Sequence, residues 1–140
     1  MPYRFYLDAK VNCIFIQHFD EFQQNDGINV TNEVLGNPEY RMGMNILRDA
    51  TQTPLPKRFS DNSYLYESRR QAEKMDLLLG TCRLAWIVGS AKDFGAVHRW
   101  SVSTRLSKSV ERHPFRELSK ALEWLGIPAE YEIRFPNQVF

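Results

Sequence analysis

The stretch Cys82-Arg83-Leu84-Ala85-Trp86-Ile87-Val88 constrains the fold more than any other part of the chain. It is an almost continuous apolar run, too short for a buried helix and bounded by Gly80 and Gly89. A run of this kind, with no two-residue alternation, reads as a strand whose two faces are both covered. Such strands belong to α/β sheets, where helical crossovers lie against the sheet.

The rest of the chain supplies the neighbours. Residues 3–8 and 11–18 read as two strands rich in aromatic and β-branched side chains. Asp8-Ala9-Lys10 between them suits a tight connection, so a hairpin is expected. In residues 20–36, Phe22, Val30, Val34 and Leu35 share a helical face. That helix either carries Gly27 at a cost of about 1 kcal/mol or starts at Asn29 as N-cap, and Gly36-Asn37-Pro38 ends it. Met44 to Asp49 is a third strand, and the prolines at 54 and 56 make Thr51 to Lys57 a loop. A helix follows with Ser60 as N-cap, Leu65, Ala72, Met75 and Leu79 at helical spacing, and Gly80 as its stop.

After the apolar strand, Ser90 and Asp93 cap a helix running to about Leu106, and a short strand runs from about Val110 to Pro114. The closing helix starts near Phe115 or Arg116, with Leu118, Ala121, Leu122 and Leu125 as its apolar stripe. Gly126 sits at the left-handed C-cap position, with Ile127 able to reach back to Leu122 and Pro128 preventing continuation. Tyr131, Ile133 and Phe135 then alternate with Glu130, Glu132 and Arg134, a period of two that predicts one more strand. It covers an edge of its own sheet, or it adds to a neighbouring chain and builds a homodimer through residues 130–135. The order is ββαβαβαβα plus a tail, with mainly parallel pairing after the hairpin.

Composition limits the function classes. The chain's 140 residues fit one domain with a real core. With 43% hydrophobic and 25% charged residues it is globular. No apolar run is long enough to span a bilayer. The opening Met1-Pro2-Tyr3-Arg4-Phe5 lacks the features of a secretory signal. Cys13 and Cys82, the two cysteines, both lie in apolar runs and read as core thiols, so a cytoplasmic protein is expected. A net charge of +1 argues against nucleic acid as a partner. The charge is uneven, with seven Lys/Arg against three acids between Lys92 and Lys120, which reads as a solvated basic face.

Three segments, in this order and spacing, resemble one family. Asn37-Pro38-Glu39-Tyr40-Arg41 leads into the strand ending at Asp49. Phe94-Gly95-Ala96-Val97-His98-Arg99 follows the apolar strand. Phe115 precedes Lys120-Ala121-Leu122-Glu123-Trp124-Leu125-Gly126. Together they resemble bacterial proteins of the STAS-like (SpoIIAA-like) superfamily over residues 3–126. The resemblance implies an α/β fold with a mixed four- to five-stranded sheet and helices mainly on one face. It leaves residues 1–126 as the domain and 127–140 as a C-terminal extension. It also implies a regulatory or protein-interaction domain, switched in the best-known members by phosphorylation of a serine after the third strand. Here Asp49-Ala50-Thr51-Gln52 stands there, and Thr51 is the nearest hydroxyl.

The candidate contact residues for a ligand or partner are Phe94, Gly95, Arg99, Trp100 and Asp49. Gly95 would let the helix approach the strand closely, Arg99 would pair with a carboxylate such as Asp49, and Trp100 stands among basic residues as an interaction anchor would. His18, His98 and His113 are scattered without ligand spacing, so no metal or other cofactor is expected. Nucleophile and phosphate-loop motifs are absent, so no catalytic residue is assigned. Besides a protein partner, the aromatic and methionine content is compatible with a module holding an apolar or lipid-like small molecule.

Overall fold

The computed structural model describes residues 3–20, 26–104 and 109–135. Strands β1 (Tyr3–Asp8), β2 (Cys13–His18), β3 (Asn45–Ala50), β4 (Cys82–Val88) and β5 (Val110–Phe115) alternate with helices α1 (Asp26–Leu35), α2 (Asn62–Leu79), α3 (Ala91–Ser103) and α4 (Leu118–Trp124) after the opening hairpin. The strands form one sheet in the order β1-β2-β3-β4-β5. The β1–β2 pair is antiparallel and the other three pairs are parallel. This is the expected α/β class, and the apolar run at 82–88 sits between two parallel neighbours.

The hairpin closes with Asp8 opposite Cys13, Asn12 in the left-handed region (φ 53°), and the Lys10 amide donating to Asp8 Oδ1 at 2.9 Å. Strand parity then sorts the side chains. Ile14, Ile16, Ile46, Leu84, Trp86, Val88 and Val110 enter a core closed by Val30 and Val34 of α1, Leu79 of α2 and Val97 of α3. Cys13, Phe15, Leu47, Ala85 and Ile87 face the other way, under Ala121 and Leu122 of α4. The two cysteines therefore lie on opposite faces, each a buried free thiol.

Helix α1 spans Asp26–Leu35 and holds Gly27 in its first turn, the first of the two expected alternatives. The buried stripe of Asp26, Val30 and Val34 outweighs the glycine cost. Phe22 lies outside the described residues, as does Leu106. Other boundaries differ from expectation. Asp61, not Ser60, is the N-cap of α2. Helix α4 starts only at Leu118, which is exposed and outside the stripe. Its C-terminus is as read. Gly126 has φ 74°, its amide donates to Glu123 O at 3.1 Å, and the Ile127 amide donates to Leu122 O at 2.9 Å. This is the paired-bond glycine cap.

The tail is not a strand. Residues 131–135 take no regular secondary structure and pair with no strand among the described residues; they lie across the second face rather than along an edge. Tyr131 stacks on Phe15 (centroids 5.2 Å, planes 11° apart) and Phe135 meets Tyr6 edge-on at 5.2 Å. The Tyr131 hydroxyl donates to Asp8 Oδ2 at 2.8 Å and lies 3.0 Å from the Tyr6 hydroxyl. Alternation marked which side chains turn inward, and these meet a sheet face. Packing therefore continues past Gly126, and Ile127 is itself buried. No helix among the described residues is long and apolar enough to cross a membrane.

Two glycines give opposite predictions. Gly80 has φ 72°, and a Cβ there would stand 2.5 Å from Met42 Cγ. Gly95 lies inside α3, and a Cβ there would meet nothing within 4 Å. Denaturant unfolding should show Gly80→Ala losing about 1–3 kcal/mol and Gly95→Ala gaining about 0.5–1 kcal/mol.

Candidate functional site

A cavity of about 110 Å³ lies between the sheet and its three covering helices. Its floor comes from the inward parity of four strands: Ile16, Ile46 with Arg48, Leu84 with Trp86, and Arg112. Helix α1 brings Gly27, Ile28 and Thr31 to one wall. Helix α2 brings Tyr64, Ser68, Ala72, Met75 and Leu79, which recur every three or four residues and so share one face. Phe59, from the turn before α2, and Trp100 of α3 close the remainder. Gln71 lines the cavity and is exposed, which brings its rim to the surface.

The lining is apolar apart from two arginines. Arg112 is neutralised: its Nη1 and Nη2 donate to Asp76 Oδ2 and Oδ1 at 3.0 and 2.6 Å. The side chains of that pair are 4% and 2% exposed, and the guanidinium also stands 4.8 Å from the centre of the Trp100 ring. Arg48 differs. It is 9% exposed, and its Nε and Nη2 meet no acceptor among the described residues. No carboxylate forms an ion pair with it there. Its guanidinium rests 4.8 Å from the centre of the Trp86 ring. Burial first, and then the Arg112 charge, pull Arg48 down to about 10, against the opposing influence of Tyr64 and Asp26. It therefore stays cationic at neutral pH.

His18 completes this corner. It is fully buried, with its ring parallel to Trp86 (6.1 Å, 7°). Burial, and then the Arg48 charge, push it down to about 2, so it is neutral.

Of the residues singled out from sequence, Trp100 lines the cavity and the others do not. Phe94 is half-buried against the helix-side core. Gly95 is exposed and supports no close approach. Arg99 does not pair with Asp49. Arg99 Nη2 donates to Asn62 Oδ1 at 2.5 Å, whereas Asp49 Oδ1 accepts from the Thr51 amide and hydroxyl at 2.9 and 2.6 Å. The expected Arg99–Asp49 pair fails because Asp49 has the strand parity of Leu47, which points away from α3. Thr51 is exposed, and a phosphate on it would face the Asp49 carboxylate. The basic segment is not a uniform solvated face either, since Arg112 is buried. His98 and His113 are exposed, and among the described residues no cluster of His, Cys, Asp or Glu is placed to hold a metal ion.

Arg48, Arg112 and Asp76 were the residues missed. A signal existed. Arg48 has the parity of Ile46 and Ala50, Arg112 that of Val110 and Pro114, and Asp76 lies four residues from Ala72 and three from Leu79. Charges on inward faces are exceptions that need partners or a purpose.

A second, open and more polar groove lies at the opposite end of the sheet. Its main polar groups are engaged with one another: Asn45 Oδ1 accepts from the Arg83 amide at 2.9 Å, and Arg83 Nη1 donates to Trp124 O at 2.7 Å. In comparison with known proteins, the chain matches no protein-family model and no curated protein sequence.

Two predictions test this electrostatic frame. Asp76→Ala strands the Arg112 charge and should cost about 3–5 kcal/mol, whereas the double change Asp76→Leu with Arg112→Met should cost far less than the single change. For His18, the unfolded chain takes up a proton near pH 6.5 while the folded chain does not until about 2. Below pH 6.5 the unfolded state therefore binds more protons, and stability falls as pH falls. Between pH 6.5 and 4.5 this one residue should account for about 2–3 kcal/mol. Urea titrations of wild type and His18→Phe across that range should show the difference.

Proposed function

We propose that this chain is a small-molecule binding module whose site is the cavity beneath α1, α2 and α3. The observation that carries the reading is the cavity itself, about 110 Å³ and walled largely by Trp86, Phe59, Tyr64, Leu84 and Ile46. An apolar cavity of about 150 Å³ takes up benzene. At about 110 Å³ this cavity is smaller, so its volume limits the ligand to a single small ring or a short chain and excludes a long-chain lipid, and the aromatic walls favour the ring.

The sequential strand order and the placement of α1–α3 on one face support, as a proposal, the resemblance to the STAS-like superfamily. A regulatory, protein-contacting role is a second reading, favoured by Met42, Leu77 and Leu78, which are 67%, 78% and 52% exposed. Met42 lies against Gly80, at the end of the helix that carries both leucines.

The binding reading is tested with benzyl alcohol, a neutral ring probe, followed by amide NMR shifts. Saturable shifts are expected at residues around Leu84 and Trp86. Ala72→Leu should fill the cavity and abolish them without lowering the melting temperature by more than a few degrees. Shifts that do not saturate, or that persist unchanged in Ala72→Leu, would count against the cavity as the site.

A further inference from the structure

We infer that the natural ligand is an anion, a small aromatic or short-chain carboxylate whose acid group is bound by Arg48; the inference rests on the cavity being the ligand site.

The charged and titratable groups around the cavity decide the sign. Arg112 is matched by Asp76 through two short parallel hydrogen bonds and has no charge to spare. His18 is neutral. Asp26 and Tyr64 act on Arg48 through space, but neither forms a hydrogen bond or ion pair with it. One guanidinium remains in an apolar wall, 9% exposed, with Nε and Nη2 meeting no acceptor among the described residues. Burying a charge without a partner is costly, and a bound counter-charge recovers that cost. A planar guanidinium edge matches a carboxylate in bidentate geometry.

Arg48 and Gly27 both line the cavity. A Cβ added to Gly27 would sit in ordinary contact with the guanidinium, 3.6 and 3.7 Å from Arg48 Nη1 and Nη2, so a bulkier residue on α1 would crowd that edge. Trp86, beneath Arg48, offers a ring face beside it for the apolar body of the same molecule. Arg48 is thus the specificity-determining residue of the cavity. It separates acids from neutral rings of equal size.

The experiment compares benzoate with benzyl alcohol on the full chain by isothermal titration calorimetry at pH 7 and low salt. Wild type should bind benzoate at least about tenfold more tightly than the alcohol. Arg48→Met should abolish the preference, bringing benzoate down to the affinity of the alcohol. Arg48→Lys should fall between, because an ammonium keeps the charge without the fork. Equal affinities in wild type would overturn the inference while leaving the cavity reading intact, and this comparison needs no variant to fold. Undiminished benzoate binding by folded Arg48→Met would also overturn it. If neither probe binds, the cavity reading falls and the inference falls with it.

Discussion

The guanidiniums of Arg48 and Arg112 share the helix-covered face of the sheet with the Asp76 carboxylate, and much of the structure follows from how they are accommodated. Arg48 on β3 and Arg112 on β5 flank Trp86 and Leu84 on β4. Their like charges destabilise each other in a region of low dielectric. The Asp76 carboxylate answers one of them, and in doing so fixes where α2 crosses the sheet. A buried pair of this kind is weak evidence of net stabilisation, but it is strict about geometry, because either partner left alone is expensive. Helix α2 is consequently held where its Tyr64–Leu79 face forms a wall of the cavity instead of collapsing onto β3.

The opposite face solves the same sheet with different chemistry. Phe15 is fully buried between Tyr6 and Tyr131, with planes 17° and 11° from its own. The hydroxyls of Tyr6 and Tyr131 meet each other, and Asp8 accepts from Tyr131. Burial and these contacts raise the Tyr131 hydroxyl well above its ordinary range, so it remains a donor to Asp8. One face is thus sealed by stacked rings and a chain segment, leaving the other as the place where an internal cavity persists. In a domain of this size, both faces must be covered for the central strand to remain dry.

Local features were legible in the sequence because they are set by nearby residues. The run at 82–88, the hairpin after Asp8 and the Gly126 cap depend on residues within a few positions, and each forms as read. The tail was read correctly in parity and wrongly in kind, since alternation states which side chains turn inward and is silent on whether a strand edge or a sheet face receives them. The cavity was barely legible. Trp100 was singled out, but Arg48 was absorbed into a strand and Arg112 into a basic surface, because charge counted along the chain ignores strand parity. The Asp76–Arg112 pair joins residues 36 positions apart, a distance at which sequence spacing carries no signal. The pairing of Arg99 with Asp49 failed for a related reason: order along the chain is linear, whereas Asp49 points from the other face of the sheet.

The state of Arg48 also governs His18. Burial alone disfavours the imidazolium, and the adjacent guanidinium adds to this. A carboxylate seated on Arg48 would screen that repulsion and place a negative charge near the ring, so both effects would move the His18 pKa upward. Linkage then runs in both directions: conditions that favour protonating His18 favour the anion-bound form, and a bound anion eases protonation. The desolvation of a fully buried ring still opposes its charge, so the coupling adjusts affinity at acid pH without converting the residue into a neutral-pH switch. Trp86, in contact with both the His18 ring and the Arg48 guanidinium, is the shared surface through which a change at the cavity would be felt at β2.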